Sequence, residues 1–516
     1  MGSKLKAKVV TMAMAMAMAG AGAHAASAPR VVTAGGALTG TREGGVVSFK
    51  GVPYAQPPVG DLRWRAPQPA AAWTGDRAAT RFSASCQQAP SGAGFGPYTA
   101  AFVTPPELSE DCLYLNVWAP KSARKLPVYV FIHGGAYQAG GASVPAYDGA
   151  GLARKGAVVV TLNYRLGLFG FFAHPELNRE SPLGTSGNQG VLDTIAALRW
   201  VQANISRFGG DPANVTIAGQ SAGAGMVNHL LVSPLAQGLF QRAVMESGPA
   251  LGIPALPLAL AEGGGVGSAA KLKVANLAQM RALPAADLMK AGLPVMPLPI
   301  TDGKVIPTDP ESPGARVVSK VPLIAGYNRD ETSPADAPKT AAAFEADVRK
   351  KMGPVADQIL QLYPHASDAE AARSAVQLQV DRRVAGLILW GERRAADGQP
   401  AYIYLFEHTY PGLDPARNGA FHTAEVPYVM GALNLQGAAF TDVDKALSAE
   451  MQSRWLSFMR TGDPNPRGAR TVWPRASQDP GSVQRFAPTD KAPLLDAARL
   501  AVFRDYVAKG GKLGLL

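Results

Sequence analysis

A short segment near the middle of the chain constrains the fold more than any other. Residues 211–225 read DPANVTIAGQSAGAG, in which a β-branched run ends in the pentapeptide G-Q-S-A-G. Small residues around Ser221 suit a sharp turn from a strand into a helix, where larger side chains would collide with the crossing backbone. Such a turn lifts the serine hydroxyl out of the sheet, so Ser221 is the candidate nucleophile.

The sequence on either side of Ser221 favours this interpretation. The β-branched residues at 215–217 predict a strand, and the proline-free run 222–231 predicts a helix that begins at the turn. That helix would direct its N-terminal amide groups and the positive end of its dipole toward Ser221. The alternative is an ordinary strand-turn-helix in which the serine has no catalytic role. Candidates for a base, an acid and an oxyanion site elsewhere in the chain would disfavour this alternative.

Most of the chain alternates apolar runs of strand length with helical stretches. Continuously apolar strands are typical of a largely parallel sheet that helices cover on both faces, so we predict an α/β fold. The segment 251–303 has no clear period and is expected to be an insertion over the sheet edge or the mouth of the site. The predicted strands are 46–49, 127–132, 157–162, 215–218, 243–246, 323–327 and 401–406, and the other predicted helices are 189–208, 367–396 and 444–461.

The N-terminal residues have the pattern of an export signal. Three lysines precede the apolar run 9–23, and A-H-A at 23–25 fits a cleavage site of small residues. A membrane anchor is the alternative, but the run is short and rich in Ala and Gly. We expect 1–25 to be a cleaved signal peptide, 26–516 to be a single domain, and the protein to be periplasmic or secreted, without stable membrane insertion.

Charge and cysteine content exclude some classes of function. The net charge is +11, but the basic residues are scattered and do not alternate with aromatic residues, so nucleic-acid binding has little support. The two cysteines, Cys86 and Cys112, favour one disulfide in an exported chain, with two buried free thiols as the alternative. No convincing metal-binding cluster is found, so no metal or organic cofactor is expected.

A nucleophilic serine needs a base, and the chain has seven histidines. His422 is the best candidate, because its loop NGAFHTAEVPYVMG has small neighbours that let the imidazole reach a hydroxyl. His408 ends an apolar strand and suits a structural role. The carboxylate that orients the base should follow another strand, as Asp330 and Glu331 do in VPLIAGYNRDE. These two carboxylates point in different directions, and the residues alone leave the choice between them open.

A glycine-rich loop follows the predicted strand 127–132. The run VYVFIHGGAYQAGG at 128–141 can turn backbone N–H groups toward the oxygen of a tetrahedral intermediate, together with the N–H of Ala222. A phosphate-binding loop is the alternative. The run lacks the G-K-[ST] ending and the dinucleotide spacing, so an oxyanion site is favoured.

Longer motifs resemble the type B carboxylesterase/lipase family of α/β-hydrolases over nearly the whole chain after the N-terminal segment. The resemblance implies the α/β-hydrolase fold, a large mostly parallel sheet flanked by helices. It also implies a nucleophile at Ser221, an acid at Glu331 rather than Asp330, and a base at His422. The motifs are FKGVPYAQPPVGDLRWRAPQP at 49–69, SEDCLYLNVWAP at 109–120, NYRLGLFGF at 163–171, NQGVLDTIAALRWVQANISRFGGDPANVTIAGQSAG at 188–223 and MRTGDPN at 459–465.

The same resemblance assigns the surrounding residues and shows where this chain departs from the family. It places the oxyanion amides at Gly135, Ala136 and Ala222, with Gly134 and Gln220 in support, and it pairs Cys86 with Cys112. Gln220 stands where the family usually has Glu, which removes a negative charge and weakens the case for cationic substrates. Ala136 and Ala224 replace usual glycines, and 87–111 has no tryptophan of the kind that binds choline. Cholinesterase activity is therefore not expected.

Together these features predict an exported serine carboxylesterase that hydrolyses small, uncharged carboxylic esters through an acyl-enzyme. A lipase acting on longer-chain lipid esters is the alternative, although 87–111 holds few large apolar residues for a lid. A non-catalytic binding protein on the same fold would require a lost triad, whereas all three positions are filled. We expect a monomer or a weak dimer.

Overall fold

The computed structural model describes residues 28–513, except for 91–96, 249–254, 293, 311, 313–314, 332–336, 415–416, 477–481 and 488–493. The expected signal peptide at 1–25 lies outside the described residues. Within them, no helix is both long enough and apolar enough to cross a membrane.

One central sheet of ten strands organises the described chain. The strands of the protein are β1 (Arg30–Thr33), β2 (Gly36–Thr39), β3 (Thr41–Glu43), β4 (Val46–Pro53), β5 (Asp76–Ala78), β6 (Ser85–Cys86), β7 (Leu108–Ser109), β8 (Tyr114–Pro120), β9 (Leu126–Ile132), β10 (Val158–Leu162), β11 (Gly210–Gln220), β12 (Arg242–Glu246), β13 (Leu256–Pro257), β14 (Ile300–Thr301), β15 (Leu323–Asn328), β16 (Ala401–Phe406) and β17 (Gln484–Phe486). The order across the central sheet is β17-β16-β15-β12-β11-β9-β10-β8-β4-β3.

The direction of the strands determines where a site can form. Strands from β17 to β10 in this order pair in parallel, and β8, β4 and β3 extend the sheet through antiparallel pairs. Strand β9 lies between β10 on one side and β11 on the other. Successive strands are therefore added on opposite sides of β9, and the strand order reverses there. Open parallel sheets bind ligands at the carboxyl edge beside such a switch point. The turn at Ser221 follows β11, at this position.

Helices cover both faces of the sheet. They are α1 (Ala150–Arg154), α2 (Gly167–Gly170), α3 (Pro175–Glu180), α4 (Gln189–Asn204), α5 (Ala222–Val232), α6 (Leu258–Lys271), α7 (Leu277–Ala282), α8 (Ala285–Ala291), α9 (Ala341–Met352), α10 (Ala356–Leu362), α11 (Asp368–Ala396), α12 (Val426–Met430), α13 (Asp442–Thr461) and α14 (Ala497–Ala508). Along β9, Val128 and Val130 belong to one core cluster, which includes residues of α4, α5 and α11, whereas Tyr129 and Phe131 belong to a second cluster, which includes residues of α12 and α13. Both faces of β9 are therefore buried, which explains its continuously apolar sequence.

The predicted fold class is confirmed, and each predicted strand and helix has a counterpart. The sequence did not predict β8, which lies between β10 and β4. Asn116 interrupts its apolar run, and in the fold this buried amide bonds to Thr161 and to the main chain of Gly51 and Ala142. The partners of Asn116 are distant in the sequence, so the sequence does not show that a polar residue can be buried in this strand.

The segment 251–303 is largely helical where it is described, with α6, α7 and α8. Helix α6 has the sequence LALAEGGGVGSAAK, whose glycines disfavour a helix in isolation. Tertiary packing explains the helix, because a Cβ atom at Gly265 would lie 1.9 Å from the carbonyl oxygen of Ala173. The glycine allows close contact between α6 and the protein body.

Candidate active site

Five neighbouring strands end at the same edge of the sheet and carry the candidate residues. The segments after β9, β11, β12, β15 and β16 contain Gly134, Ser221, Ser247, Glu331 and His422, respectively. The parallel register aligns these ends, since Gln220 pairs with Glu246 at the ends of β11 and β12. Residues far apart in the sequence therefore meet above one edge.

Ser221 lies in a tight turn between β11 and α5. Its backbone has φ of +56°, a positive value that residues other than glycine rarely adopt. Its N–H donates to the carbonyl oxygen of Glu246 at 2.8 Å, and its own carbonyl accepts from the N–H of Gly225 at 3.0 Å. Both bonds fix the strained serine in place, as expected for a nucleophile raised above a sheet.

Glycines make this turn possible. A Cβ atom at Gly223 would lie 2.0 Å from the carbonyl oxygen of Ile132, and one at Gly219 would lie 2.2 Å from that of Gly223. Both distances are far below van der Waals contact. The helix α5 can start directly against β9 and β11 only if these positions lack side chains.

His422 and Glu331 are in direct contact, with Nδ1–H of the imidazole donating to Oε2 of the carboxylate. The carboxylate is nearly fully buried, whereas a quarter of the imidazole side chain is exposed. The other oxygen, Oε1, accepts from the Ser247 hydroxyl at 2.6 Å and from the N–H of Asn328 at 2.7 Å. Glu331 therefore fixes the imidazole from one side and is itself fixed by two further donors.

The contact between these residues shifts the pKa of both. Burial alone would raise the pKa of Glu331, but the charge of His422 and the hydrogen bonds it accepts bring the pKa below its ordinary value. Burial would likewise lower the pKa of His422, but the Glu331 carboxylate raises it above its usual range. The carboxylate thus favours a proton on the imidazole, which suits a residue that must accept one during a reaction.

Asp330, the other acidic candidate, has a different contact. Its Oδ2 accepts from the N–H of Ala420 at 2.8 Å, and its main chain pairs with Phe421. Asp330 thereby joins the turn after β15 to the loop that carries His422. Of the two adjacent carboxylates, Glu331 contacts the imidazole and Asp330 supports the loop.

The remaining ring nitrogen of His422 contacts an amide. Nε2 lies 3.1 Å from Nε2 of Gln220. Within the part of the chain that the structure describes, the Ser221 hydroxyl makes no hydrogen bond to His422. The structure thus brings serine and histidine to the same edge without joining them directly, and such contacts often form fully only when substrate is bound.

The loop after β9 has an unusual backbone. Gly135, Ala136 and Tyr137 all have positive φ, at 111°, 54° and 59°. The N–H groups of Gly135 and Ala136 make no hydrogen bond within the described part of the chain, and both residues are exposed. Ala222 begins α5, where the first N–H groups of a helix have no partner in the helix. These three amides are therefore available to an oxyanion.

A second loop holds the His422 segment from the other side. Cys86 and Cys112 form a disulfide and close the loop that contains Tyr98. The Tyr98 hydroxyl donates to the carbonyl oxygen of His422 at 3.2 Å, and its ring packs edge-on against Phe421 with 5.8 Å between ring centroids. The disulfide-closed loop therefore contacts the candidate base.

Two further carboxyl groups are buried behind the site. Glu246 and Glu425 are fully buried, and each has one oxygen without a hydrogen-bond partner among the described residues. Burial raises the pKa of both groups, and the nearby Glu246 raises that of Glu425 further. Among the described residues, neither carboxyl group is hydrogen-bonded to the imidazole ring of His422. Glu425 acts on His422 electrostatically, and the sequence did not identify it as part of the site.

The structure adds Ser247 and Tyr98 to the residues found in the sequence. Ser247 directly follows β12 in the run VMESG, so a search for polar residues at the ends of parallel strands would have found it. Tyr98 carries no such signal, because its contact with His422 depends on how the loop folds back over the sheet. The buried histidines give a contrast: burial lowers the pKa of His133 to about 4 and that of His229 to about 3, so both are neutral.

Comparisons with known proteins show the family to which the chain belongs. The model of the carboxylesterase family matches residues 27–501. The chain is 37% identical to the fumonisin B1 esterase of Sphingopyxis macrogoltabida over 89% of this chain and 86% of that protein. It is 38% identical to the para-nitrobenzyl esterase of Bacillus subtilis (strain 168), over 86% of this chain and 92% of that protein.

A solved structure of a PNB esterase has the same fold. It superimposes with a TM-score of 0.69 at 36% sequence identity, covering 87% of this chain and 94% of that one. The family match spans every strand of the central sheet, from β3 to β17, and the relatives are named as esterases. The chain therefore belongs to the carboxylesterase family of the α/β-hydrolases and is a carboxylic ester hydrolase.

Proposed function

We propose that the protein is a serine carboxylesterase in which Ser221, His422 and Glu331 form the catalytic triad. The observation that carries this proposal is the shared carboxyl edge of the sheet. It holds a strained serine at the start of a helix and a histidine whose Nδ1 contacts a buried carboxylate. The proposed nucleophile, base and orienting acid follow three parallel strands at this edge, which supports a triad for acyl transfer.

The reaction would proceed in two halves. Nε2 of His422 takes the proton of Ser221 as Oγ attacks the ester carbonyl, and the resulting oxyanion accepts from the N–H groups of Gly135, Ala136 and Ala222. Collapse of this intermediate breaks the bond to the alkoxy oxygen, which leaves as an alcohol with the proton from His422. Water then attacks the acyl-enzyme with the same help, releasing the acid and restoring the serine.

Uncharged esters are the proposed substrates. Gln220 provides a neutral amide beside the nucleophile, at a position where a carboxylate would attract a cation. The relatives are named for para-nitrobenzyl and fumonisin B1 ester hydrolysis, which supports esters of small organic molecules.

Hydrolysis of p-nitrophenyl esters from acetate to palmitate tests the proposal. Ser221→Ala should lower kcat/KM by at least about 10⁴-fold, since the nucleophile is lost. Ser206→Ala removes an exposed hydroxyl outside the proposed site and should leave kcat/KM unchanged. Activity confined to short acyl chains supports a carboxylesterase, whereas activity that rises toward palmitate contradicts it in favour of a lipase. Equal activity of Ser221→Ala and wild type would reject the assigned nucleophile.

We also propose that the protein is exported. The N-terminal lysines and apolar run support this location, as does the disulfide between Cys86 and Cys112, which is stable in oxidising compartments. Mass spectrometry of the full-length product in a bacterial host should find a periplasmic or secreted form that begins near residue 26. An uncleaved cytoplasmic product would contradict export and leave the esterase proposal intact.

A further inference from the structure

Gln220 occupies an enclosed position between two parts of the active site. Only 2% of the residue is exposed, although a side chain beside a nucleophile often faces the substrate. Its Nε2 lies 3.1 Å from Nε2 of His422. On the other side, a Cβ atom at Gly134 would lie 2.8 Å from Oε1 of Gln220. The amide is therefore held between the oxyanion loop and the imidazole.

The hydrogen-bond direction follows from the other ring nitrogen. Nδ1–H of His422 donates to Glu331, so in the neutral imidazole Nε2 has a lone pair and no proton. The group facing Nε2 must then be a donor, which is the NH₂ of Gln220. The same lone pair is the one that takes the proton of Ser221, so amide and hydroxyl compete for one acceptor.

We propose that Gln220 is a positioning residue that holds neutral His422 between turnovers and yields Nε2 to the Ser221 hydroxyl when an ester binds. This inference rests on the proposed triad and deepens it. A donor to Nε2 stabilises the neutral imidazole and opposes its protonation. The enzyme thereby keeps its base ready at lower pH than it would with an acceptor in this position.

Other charged groups also act on His422. Glu331 lies on the turn after β15, Glu425 on the segment that carries His422 itself, and Arg383 on α11. The Glu331 carboxylate favours the imidazolium, as does Glu425 when it is ionised, and the guanidinium opposes it. These groups are the same in a variant at position 220, so a change at that position alone reports the contribution of the amide.

Two substitutions of nearly equal size separate charge from hydrogen bonding. Gln220→Glu replaces the donor with a carboxylate that favours the imidazolium, and Gln220→Met removes the donor and keeps the volume. In the pH profile of kcat/KM, the acid limb is the low-pH side, where activity falls as His422 becomes protonated. This limb should move to higher pH by about one unit in Gln220→Glu and by about half a unit in Gln220→Met. Gln68→Glu adds the same charge at an exposed position and should leave the limb in place.

A second measurement does not depend on activity. With ¹³C-labelled histidine, NMR can titrate His422 directly in Ser221→Ala, with and without Gln220→Glu, and His422→Ala assigns the resonance. The imidazole pKa should rise by about one unit with the added carboxylate. An acid limb that neither substitution moves, together with an NMR titration that Gln220→Glu leaves unchanged, would overturn this inference. If the wild type hydrolyses no ester, the proposed function is rejected. The NMR titration still tests the contact between Gln220 and His422 in that case, so the two failures can be told apart.

Discussion

The hydroxyl of Ser247 should affect the proposed triad through its bond to Glu331. Its 2.6 Å bond to Oε1 is one of the two bonds that hold Glu331 from behind. Ser247→Ala leaves part of a buried carboxylate without a donor, and a bond to a charged group is worth on the order of 1.5–3 kcal/mol. We expect kcat to fall by about 10-fold with little change in KM, measured with p-nitrophenyl acetate. A kcat equal to that of the wild type would show that the bond is dispensable.

The buried carboxyl groups behind the site should make stability depend on pH. The pKa of Glu425 is raised by burial and by Glu246, so the folded state keeps its proton to higher pH than the unfolded chain does. Its stabilising contribution is complete below the ordinary carboxyl range and is lost as pH rises through the raised value.

Glu425→Gln removes this titration while it keeps the shape of the side chain. We expect the Tm of the variant relative to the wild type to be higher at about pH 9 than at about pH 5. Glu43→Gln, at an exposed position on β3, should give a difference that does not depend on pH. A constant difference for Glu425→Gln as well would mean that the pKa is not raised.

At the scale of elements, the junction of β11 and α5 tolerates no added atoms. Gly223→Ala would place a methyl group 2.0 Å from the carbonyl oxygen of Ile132, so α5 must move away from β9. We expect a lower Tm and a large loss of kcat, because the turn at Ser221 moves with the helix. Gly263→Ala is the matched control: this exposed position in α6 has no atom within 4 Å of the new Cβ. Alanine there should be neutral or stabilising, by up to about 1 kcal/mol.

The disulfide-closed loop is the second element that can be tested. Replacing Cys86 and Cys112 by serine releases a loop with a sequence separation of 26 residues. We expect the free energy of unfolding to fall by about 3 kcal/mol. Because Tyr98 in this loop contacts His422, kcat should fall as well. Urea unfolding and ester hydrolysis of the double variant measure both effects, and an unchanged unfolding midpoint would contradict the stabilising role of the bond.

The sequence predicted the parts of the site that depend on local chemistry. The strand, turn and helix around Ser221 follow from neighbouring β-branched and small residues. The choice between Asp330 and Glu331 does not follow from neighbouring residues, because it depends on how the turn after β15 directs two adjacent side chains. The contact of Gln220 with His422 also could not be predicted, since the two residues are 202 positions apart and meet only through the order of the strands.

For the whole molecule, the central sheet is what unites these groups. Cores on both faces bury the strands, so the ends of β11, β15 and β16 have little freedom to move relative to one another. Loops at the carboxyl edge that carry none of the proposed triad residues can therefore vary in sequence while Ser221, Glu331 and His422 keep their positions.

Covalent labelling with a fluorophosphonate tests most directly whether Ser221 is the activated nucleophile. Such a reagent phosphonylates a serine only when a base removes its proton and an oxyanion site accepts the resulting charge. Peptide mass spectrometry should find one equivalent of label, on the peptide that contains Ser221, and ester hydrolysis should be lost in proportion. His422→Ala should label far more slowly. Stoichiometric label on another residue, or full activity in the labelled protein, would contradict the proposed triad.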